Sequence, residues 1–142
     1  MNDFKNELKL LLKPQTHKHF RLGHKSVNTL MTLFRVGRTQ LNSHRFSIGL
    51  SETDQCDCGS IESPSHFFLD CSLYSANRIK LVDRLITIIP NFSNITRQRQ
   101  LELILFGIIN KQGSALDPRN RLLTFAVQNF VISTNRFKKS YG

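Results

Sequence analysis

Residues 56–71 read CDCGSIESPSHFFLDC and contain all three cysteines of the 142-residue chain, together with one of its five histidines. The spacing is C-x-C-x7-H-x4-C. Zinc prefers four tetrahedral ligands, and three thiolates with one imidazole form a common closed set around a structural ion. The stretch therefore predicts one structural zinc ion held by Cys56, Cys58, His66 and Cys71. A closed set leaves no position for a catalytic water.

The residues between the predicted ligands fit a metal-binding loop. Gly59 lets the backbone turn back toward a thiolate. Ser65 is expected to cap a helical turn that carries His66, which places His66 and Cys71 on adjacent turns. The alternative is a set of free cysteines and a histidine packed in a core. Packing alone does not readily explain two cysteines one residue apart in a polar loop, although C-x2-C is the more usual zinc spacing.

The rest of the chain offers few catalytic groups. Among the other histidines, His44 is only a weak substitute for one of the four predicted ligands. No metal role is expected for His17, His19 and His24, which lie in a basic connector. The sequence has no glycine-rich phosphate loop, dinucleotide fingerprint or nucleophile elbow. Its carboxylates form no D-x-D or D-x-E cluster that would hold magnesium. We therefore expect a non-catalytic protein without a small-molecule substrate.

The segment before the cysteine-rich stretch is expected to be helical. A first helix carries Leu8, Leu11 and Leu12 and stops at Pro14, and residues 15–25 form the connector. Ser26 is predicted to cap a second helix that ends at Gly37, and a short helix follows around Gln40–Phe46. The apolar face of the second helix consists of Val27, Leu30, Met31 and Phe34.

Three further helices are predicted after the stretch, from Ser72 to Ile89, from Thr96, and from Asp117-Pro118 to about Lys138. Their expected buried residues are Ile79, Val82, Leu85, Ile86 and Ile89, then Leu101, Ile104, Leu105 and Phe106, then Leu122, Phe125, Ala126, Phe130 and Phe137. The predicted fold is mostly α, a helical domain with a small irregular zinc-knuckle insert. Residues 1–50 form a basic helical segment, residues 51–75 the knuckle and residues 76–142 a C-terminal helical segment, together in one compact unit.

The charge of the chain is strongly positive and unevenly distributed. Twenty Lys and Arg residues against ten Asp and Glu give a formal net charge of +10. Residues 1–50 are basic and the following forty are mildly acidic. This pattern fits a polyanionic partner such as nucleic acid, or simply high solubility. No secretory signal or membrane span is apparent, so we expect a nuclear or cytoplasmic protein that is neither secreted nor bound to membranes.

Several motifs occur together, in order, around the cysteine-rich stretch. They are LFRVGRTQLNSH at 33–44, IGL at 48–50, the C-x-C-G of 56–59, Glu62, HFFLDC at 66–71 and Tyr74. In combination they closely resemble the region beyond the polymerase domain in reverse transcriptases of non-LTR retrotransposons. That region contains a Cys-Cys-His-Cys zinc knuckle. The direct match covers about forty residues, and the later leucine-rich helices and R-F ending look like the same family's carboxyl end.

The resemblance implies roles for individual residues. It implies zinc ligands at Cys56, Cys58, His66 and Cys71, and it implies a scaffold or a nucleic-acid face built from Arg35, Gly37, Leu41, Asn42 and His44. We expect nucleic-acid contacts from Arg35, Arg38, His44 and Arg45. Two positions depart from the family pattern, since Arg38 stands where histidine is frequent and Arg45-Phe46 replaces a leucine followed by a polar residue.

The function implied is that of an accessory nucleic-acid-binding zinc module. The chain looks like the C-terminal piece of a reverse transcriptase that lacks the polymerase itself, and it would assist binding of template RNA or target DNA. Two alternatives remain. One is a zinc-stabilised docking module that packs against a polymerase domain or another protein. The other is a retroelement remnant without a present role.

Overall fold

A computed structural model describes residues 25–137 of the chain. Its five α-helices are α1 (Lys25–Val36), α2 (Asn42–Ser47), α3 (Ser75–Ile88), α4 (Arg97–Phe106) and α5 (Arg119–Ser133). A π-helical turn spans His66–Asp70, and 3-10 turns span Ser72–Tyr74 and Phe92–Asn94. Between residues 25 and 137 there is no strand, only an isolated bridge between Gln55 and Ile61. The mostly α prediction with an irregular central insert is confirmed.

Some predictions lie outside the described residues. These are the first helix with Leu8, Leu11 and Leu12, its end at Pro14, and the connector histidines His17, His19 and His24. Within the described range, none of the helices is both long enough and apolar enough to span a lipid bilayer.

Helix α1 buries the face that the sequence predicts. Val27, Leu30, Met31 and Phe34 are all buried. The helix is described from Lys25 onward, so Ser26 lies within it and is not its cap. Gly37, with φ of +77°, ends the helix by donating its backbone N–H to Phe34 O at 3.2 Å. This left-handed conformation suits glycine because it has no Cβ.

Helix α3 and the residue after it bury only part of the predicted stripe, namely Leu85 and Ile89. The helix begins at Ser75, after the 3-10 turn, and buries Leu81 and Leu85. Ile79, which we expected to be buried, is 63% exposed, and Ile86 is also exposed. Apolar residues occupy more than half of the helix circumference, so periodicity alone did not identify the face that packs on α5.

The last two helices begin where the sequence predicts. Thr96 Oγ1 accepts the backbone N–H of Arg99 at 3.2 Å, and Asp117 Oδ1 accepts that of Arg119 at 2.9 Å. Both are side-chain caps that satisfy otherwise unpaired amides of a first helical turn. Three of the four residues expected inside α4 are buried, whereas Leu101 is half-buried.

Helix α5 differs from the prediction in its end and its buried face. It ends at Ser133 and not near Lys138, because Asn135 adopts a positive φ of 55°. Leu122 and Phe125 are exposed. The residues of the helix that do pack inward include Leu123, Ala126, Val127, Phe130 and Val131.

One hydrophobic core joins the segment before the cysteine-rich stretch, the stretch itself and the segment after it. At its centre is a phenylalanine cluster, defined by Phe34, Phe67, Phe68, Phe130 and Phe137. The rings of Phe67 and Phe68 are 4.9 Å apart, and that of Phe67 lies 5.4 Å from Phe137. Such edge-to-face pairs add to the stabilisation from burial. Because two of these rings come from the stretch itself, the predicted knuckle is anchored in the core.

Candidate metal centre

The four predicted ligands converge. Cys56, Cys58, His66 and Cys71 offer ligand atoms that all lie within 4.8 Å of one another. Cys56 Sγ is 3.5 Å from Cys71 Sγ, and Cys58 Sγ is 3.1 Å from His66 Nε2. Two sulfurs bound to one zinc ion at about 2.3 Å would stand about 3.8 Å apart in a tetrahedron. The group can therefore hold one metal ion, and His44 is not part of it.

A tight turn presents Cys56 and Cys58. The N–H of Cys56 donates to Ser60 O at 2.7 Å, and that of Gly59 donates to Cys56 O at 2.9 Å. Gly59 has φ of +95°, a value that side chains with a Cβ adopt only with strain. The turn predicted at Gly59 is present, and it aims both thiols toward the same point.

The π-helical turn presents the other two ligands. The N–H of Cys71 donates to His66 O at 2.7 Å, a bond across five residues. In an α-helix, residues five apart point about 140° away from each other. The wider π turn brings them closer to one face, so His66 and Cys71 approach the same point. Such turns are rare and occur often at functional sites.

A serine other than the predicted one caps this turn. Ser63 Oγ accepts the backbone N–H of His66 at 3.2 Å. Ser65 already has helical backbone angles and makes no capping bond. Pro64 follows Ser63, and proline suits the first helical position because its missing N–H would have no partner there. The prediction that Ser65 caps the turn is wrong by two residues.

Arg78 of α3 supports the turn from outside the ligand set. Its Nε donates to Phe68 O at 3.0 Å, and Nη2 donates to Phe67 O at 3.3 Å. The backbone carbonyls of a short helical turn need partners beyond the turn itself. Sequence reasoning did not identify Arg78, because no motif links an arginine on a later helix to these carbonyls.

The thiols have unequal surroundings. Burial raises the pKa of the Cys56 thiol to about 12, whereas a hydrogen bond from the backbone of Ser60 lowers the pKa of Cys58. A metal ion binds cysteine as the thiolate and compensates for the buried negative charge. The donor set of three thiolates and one imidazole therefore fits a cation such as Zn²⁺, which would cross-link the turn at Gly59 to the π turn.

Glu62 ties the ligand loop to the segment before it. Its Oε1 accepts the N–H of Asn42 at 2.8 Å, at the start of α2, and its backbone O accepts that of Ser43 at 3.2 Å. Asn42 Nδ2 donates to Gln55 O at 2.7 Å. Arg136, which sequence reasoning noted only as part of the R-F ending, binds the carboxylate of Glu62 from the other side.

The four residues predicted to contact nucleic acid lie in different environments. Arg35 is only 4% exposed and donates from Nε to Leu105 O, and burial lowers its pKa to about 9. A side chain enclosed in this way is not available to nucleic acid, so that prediction is wrong for Arg35, which belongs to the scaffold. Arg38 is exposed, and His44 and Arg45 are half-buried. Arg45 Nη2 donates to Leu50 O at 3.1 Å.

The other residues that the resemblance singled out have scaffold positions. Gly37 ends α1, Leu41 is fully buried, and Asn42 is held by Glu62 and Gln55. No family model, curated protein or solved structure matches this chain.

Proposed function

We propose that this chain is a zinc-stabilised, non-catalytic module that binds nucleic acid, derived from the C-terminal region of a non-LTR retrotransposon reverse transcriptase. The observation that carries the proposal is the convergence of Cys56, Cys58, His66 and Cys71 at the spacing of that family's knuckle. The module would assist binding of template RNA or target DNA, in the nucleus or the cytoplasm.

Zinc is the metal that we propose for the centre. Sulfur-rich sets with one imidazole favour zinc over magnesium or calcium, which take oxygen ligands. Four protein ligands leave no open coordination position, so the role proposed for the ion is structural.

Exposed residues between α1 and α2 and on α2 support a nucleic-acid role. Arg38 is exposed between α1 and α2, and Phe46 on α2 is 50% exposed. An arginine would contact backbone phosphates, and an exposed aromatic ring would stack on an unpaired base. We propose that Arg38, His44, Arg45 and Phe46 form one face for single-stranded nucleic acid.

Fluorescence anisotropy with a labelled 20-nucleotide single strand, recorded over a range of salt concentrations, tests this face. Arg38→Gln should reduce the slope of log affinity against log salt by about 0.7 for each phosphate that is no longer neutralised. Phe46→Leu should lower affinity by about 1–3 kcal/mol for each base that no longer stacks, with an unchanged slope. Native mass spectrometry should find one zinc ion per chain in the unchanged protein and in both variants. The proposal is rejected if the unchanged protein binds the strand weakly and its affinity does not depend on the salt concentration.

The second candidate is a zinc-stabilised docking module. It is favoured by apolar side chains that α5 exposes, namely Leu122, Phe125 and Ile132. Exposed apolar residues on one helix are typical of protein contacts when they form a continuous patch. Binding to a polymerase domain through them would be insensitive to salt and would be abolished in Leu122→Ser, whereas Arg38→Gln would leave it unchanged.

A further inference from the structure

A groove lies between α3 and α5, and none of its lining residues is a candidate metal ligand. It encloses a cavity of about 160 Å³. That is more than ten times the roughly 10–15 Å³ that one water molecule requires. Its floor is apolar and consists of Leu81, Ala126 and Phe130. The groove can therefore admit a ligand group larger than a single water.

Most of the polar groups on the rim of this groove can donate hydrogen bonds. Lys80, Arg84 and Asn77 contribute from α3, and Asn129 and Ser133 contribute from α5. No carboxylate lines it. Lysine and arginine offer only donors, and the two amides can donate as well. The Ser133 hydroxyl already donates to Phe130 O at 2.8 Å. A rim of this kind is suited to an anion.

The two cations on the rim have no anionic partner among residues 25–137. Lys80 and Arg84 are both exposed, and neither forms an ion pair within that range. They stand four residues apart on α3, and like charges at this spacing repel each other and destabilise a helix. An anion between them would relieve that repulsion and gain charge-assisted hydrogen bonds.

The rim is also held in place. Asn77 Nδ2 donates to Ser133 Oγ at 2.9 Å, which links α3 to α5 across the groove. Phe130 on the floor packs its ring against Phe67 and Phe68 and is almost fully buried. Because that ring is covered, the groove offers no stacking platform for a base. Its chemistry is that of a phosphate site.

We infer that the groove between α3 and α5 binds a backbone phosphate of single-stranded nucleic acid, through Lys80 and Arg84 with Asn77 and Asn129 as additional donors. The inference rests on the proposed function, and it adds a second contact region to the face at Arg38 and Phe46. Contact with phosphate alone supplies affinity with little sequence preference.

The test compares two variants that lose the same charge. Lys80→Gln/Arg84→Gln removes both rim cations, and Arg99→Gln/Lys111→Gln removes two exposed cations from α4 and the loop after it. We expect the salt slope measured with the labelled 20-nucleotide strand to fall by about 0.7 in the rim variant, and by less than half as much in the control. The unchanged protein should bind more tightly than the rim variant, and the ratio of the two affinities should shrink about threefold between 50 and 200 mM salt.

A second measurement separates failure of the groove from failure of the proposed function. Inorganic phosphate is titrated into the zinc-loaded protein while the side-chain amide NMR signals of Asn77 and Asn129 are followed. Shifts that saturate in the unchanged protein and vanish in Lys80→Gln/Arg84→Gln support the site. If the unchanged protein binds the strand and the rim variant matches the control, the groove is rejected and the proposed function stands. If phosphate binds but no strand does, the nucleic-acid ligand is rejected and the groove is a site for small anions.

Discussion

Glu62 and Arg136 lie 74 residues apart and form a two-point ion pair. Arg136 donates from Nη2 to Oε1 at 2.8 Å and from Nε to Oε2 at 3.0 Å. Glu62 is only 3% exposed, and these hydrogen bonds raise the pKa of Arg136 above its usual value. Glu62 precedes the ligand His66 and Arg136 follows α5, so the pair fastens the metal-binding loop to the segment that ends the described chain.

Glu62→Gln should destabilise the whole domain. The substitution keeps the size of the side chain but removes the charge that compensates Arg136, and it weakens the acceptor for Asn42. We expect the free energy of unfolding to fall by about 2–3 kcal/mol. Urea denaturation of the zinc-loaded protein, followed by circular dichroism, measures the change.

Arg97→Gln is the matched control for that experiment. It breaks another arginine–carboxylate pair, to Asp70, in which both side chains are largely exposed. Exposed pairs contribute about 0–1 kcal/mol. Equal losses of stability in the two variants would contradict the role of Glu62 as a buried anchor of the loop.

Removal of the metal should loosen the helices as well as the loop. Phe67 and Phe68 lie between the ligands His66 and Cys71 and form the centre of the phenylalanine cluster. Where a site forms only in the folded chain, metal binding energy becomes folding energy. We expect a chelator to lower amide protection in α3 and α5 together with residues 51–75, as hydrogen exchange would detect.

Cys58→Ser should give the same pattern without a chelator, because serine is a poor zinc ligand. The contrary outcome is a decrease in protection confined to residues 51–75, with α3 and α5 unchanged. In that case the cluster would be held by helix packing alone, and the metal would order only its own loop.

The sequence predicted the convergence of Cys56, Cys58, His66 and Cys71 and most of the helices, because those features depend on local spacing. The ligand spacing, the end of α1 at Gly37 and the caps at Thr96 and Asp117 were all readable in a few neighbouring residues. The buried faces of α3 and α5 were not, since both helices carry apolar residues on more than one side. Which side packs is decided by partners distant in sequence.

The same reason explains the residues that were missed. Arg78 and Arg136 act through hydrogen bonds to groups ten or more positions away, and Arg35 through one to Leu105. An arginine in a basic chain is read first as a surface charge. Nothing in its immediate neighbours indicates that its guanidinium is used inside the fold.

Tyr74 should make stability fall at high pH. Burial raises the pKa of its phenol from 10.0 to about 12. The unfolded chain therefore ionises at lower pH than the folded one, so the stabilisation is complete below pH 10 and is lost as pH rises from about 10 to 12. Tyr74→Phe removes this dependence. Urea midpoints recorded between about pH 9 and 11 should fall more steeply with pH for the unchanged protein than for Tyr74→Phe. Equal slopes in the two proteins would contradict the role of Tyr74 in this pH dependence.

Gly59→Ala should weaken metal binding through backbone strain alone. Gly59 has φ of +95°, and no heavy atom outside Gly59 and its two neighbours in the chain lies within 4 Å of the position that a Cβ would take. A left-handed conformation costs alanine about 1–2 kcal/mol. The metal-free loop can relax this strain and the metal-bound loop cannot, so we expect zinc affinity to fall by about fivefold to thirtyfold. Competition with a chromophoric chelator measures that affinity.

Gly49→Ala is the control for Gly59→Ala, because Gly49 has φ of +78° and equal open space but lies outside the ligand loop. It should show a comparable decrease in folding stability and keep its zinc affinity. Equal zinc affinity in both variants and the unchanged protein would show that the turn at Gly59 does not set the ligand geometry. Equal decreases of affinity in both would show that strain anywhere in residues 49–59 is transmitted to the metal. Only a decrease specific to Gly59 places the constraint in the turn between Cys56 and Ser60.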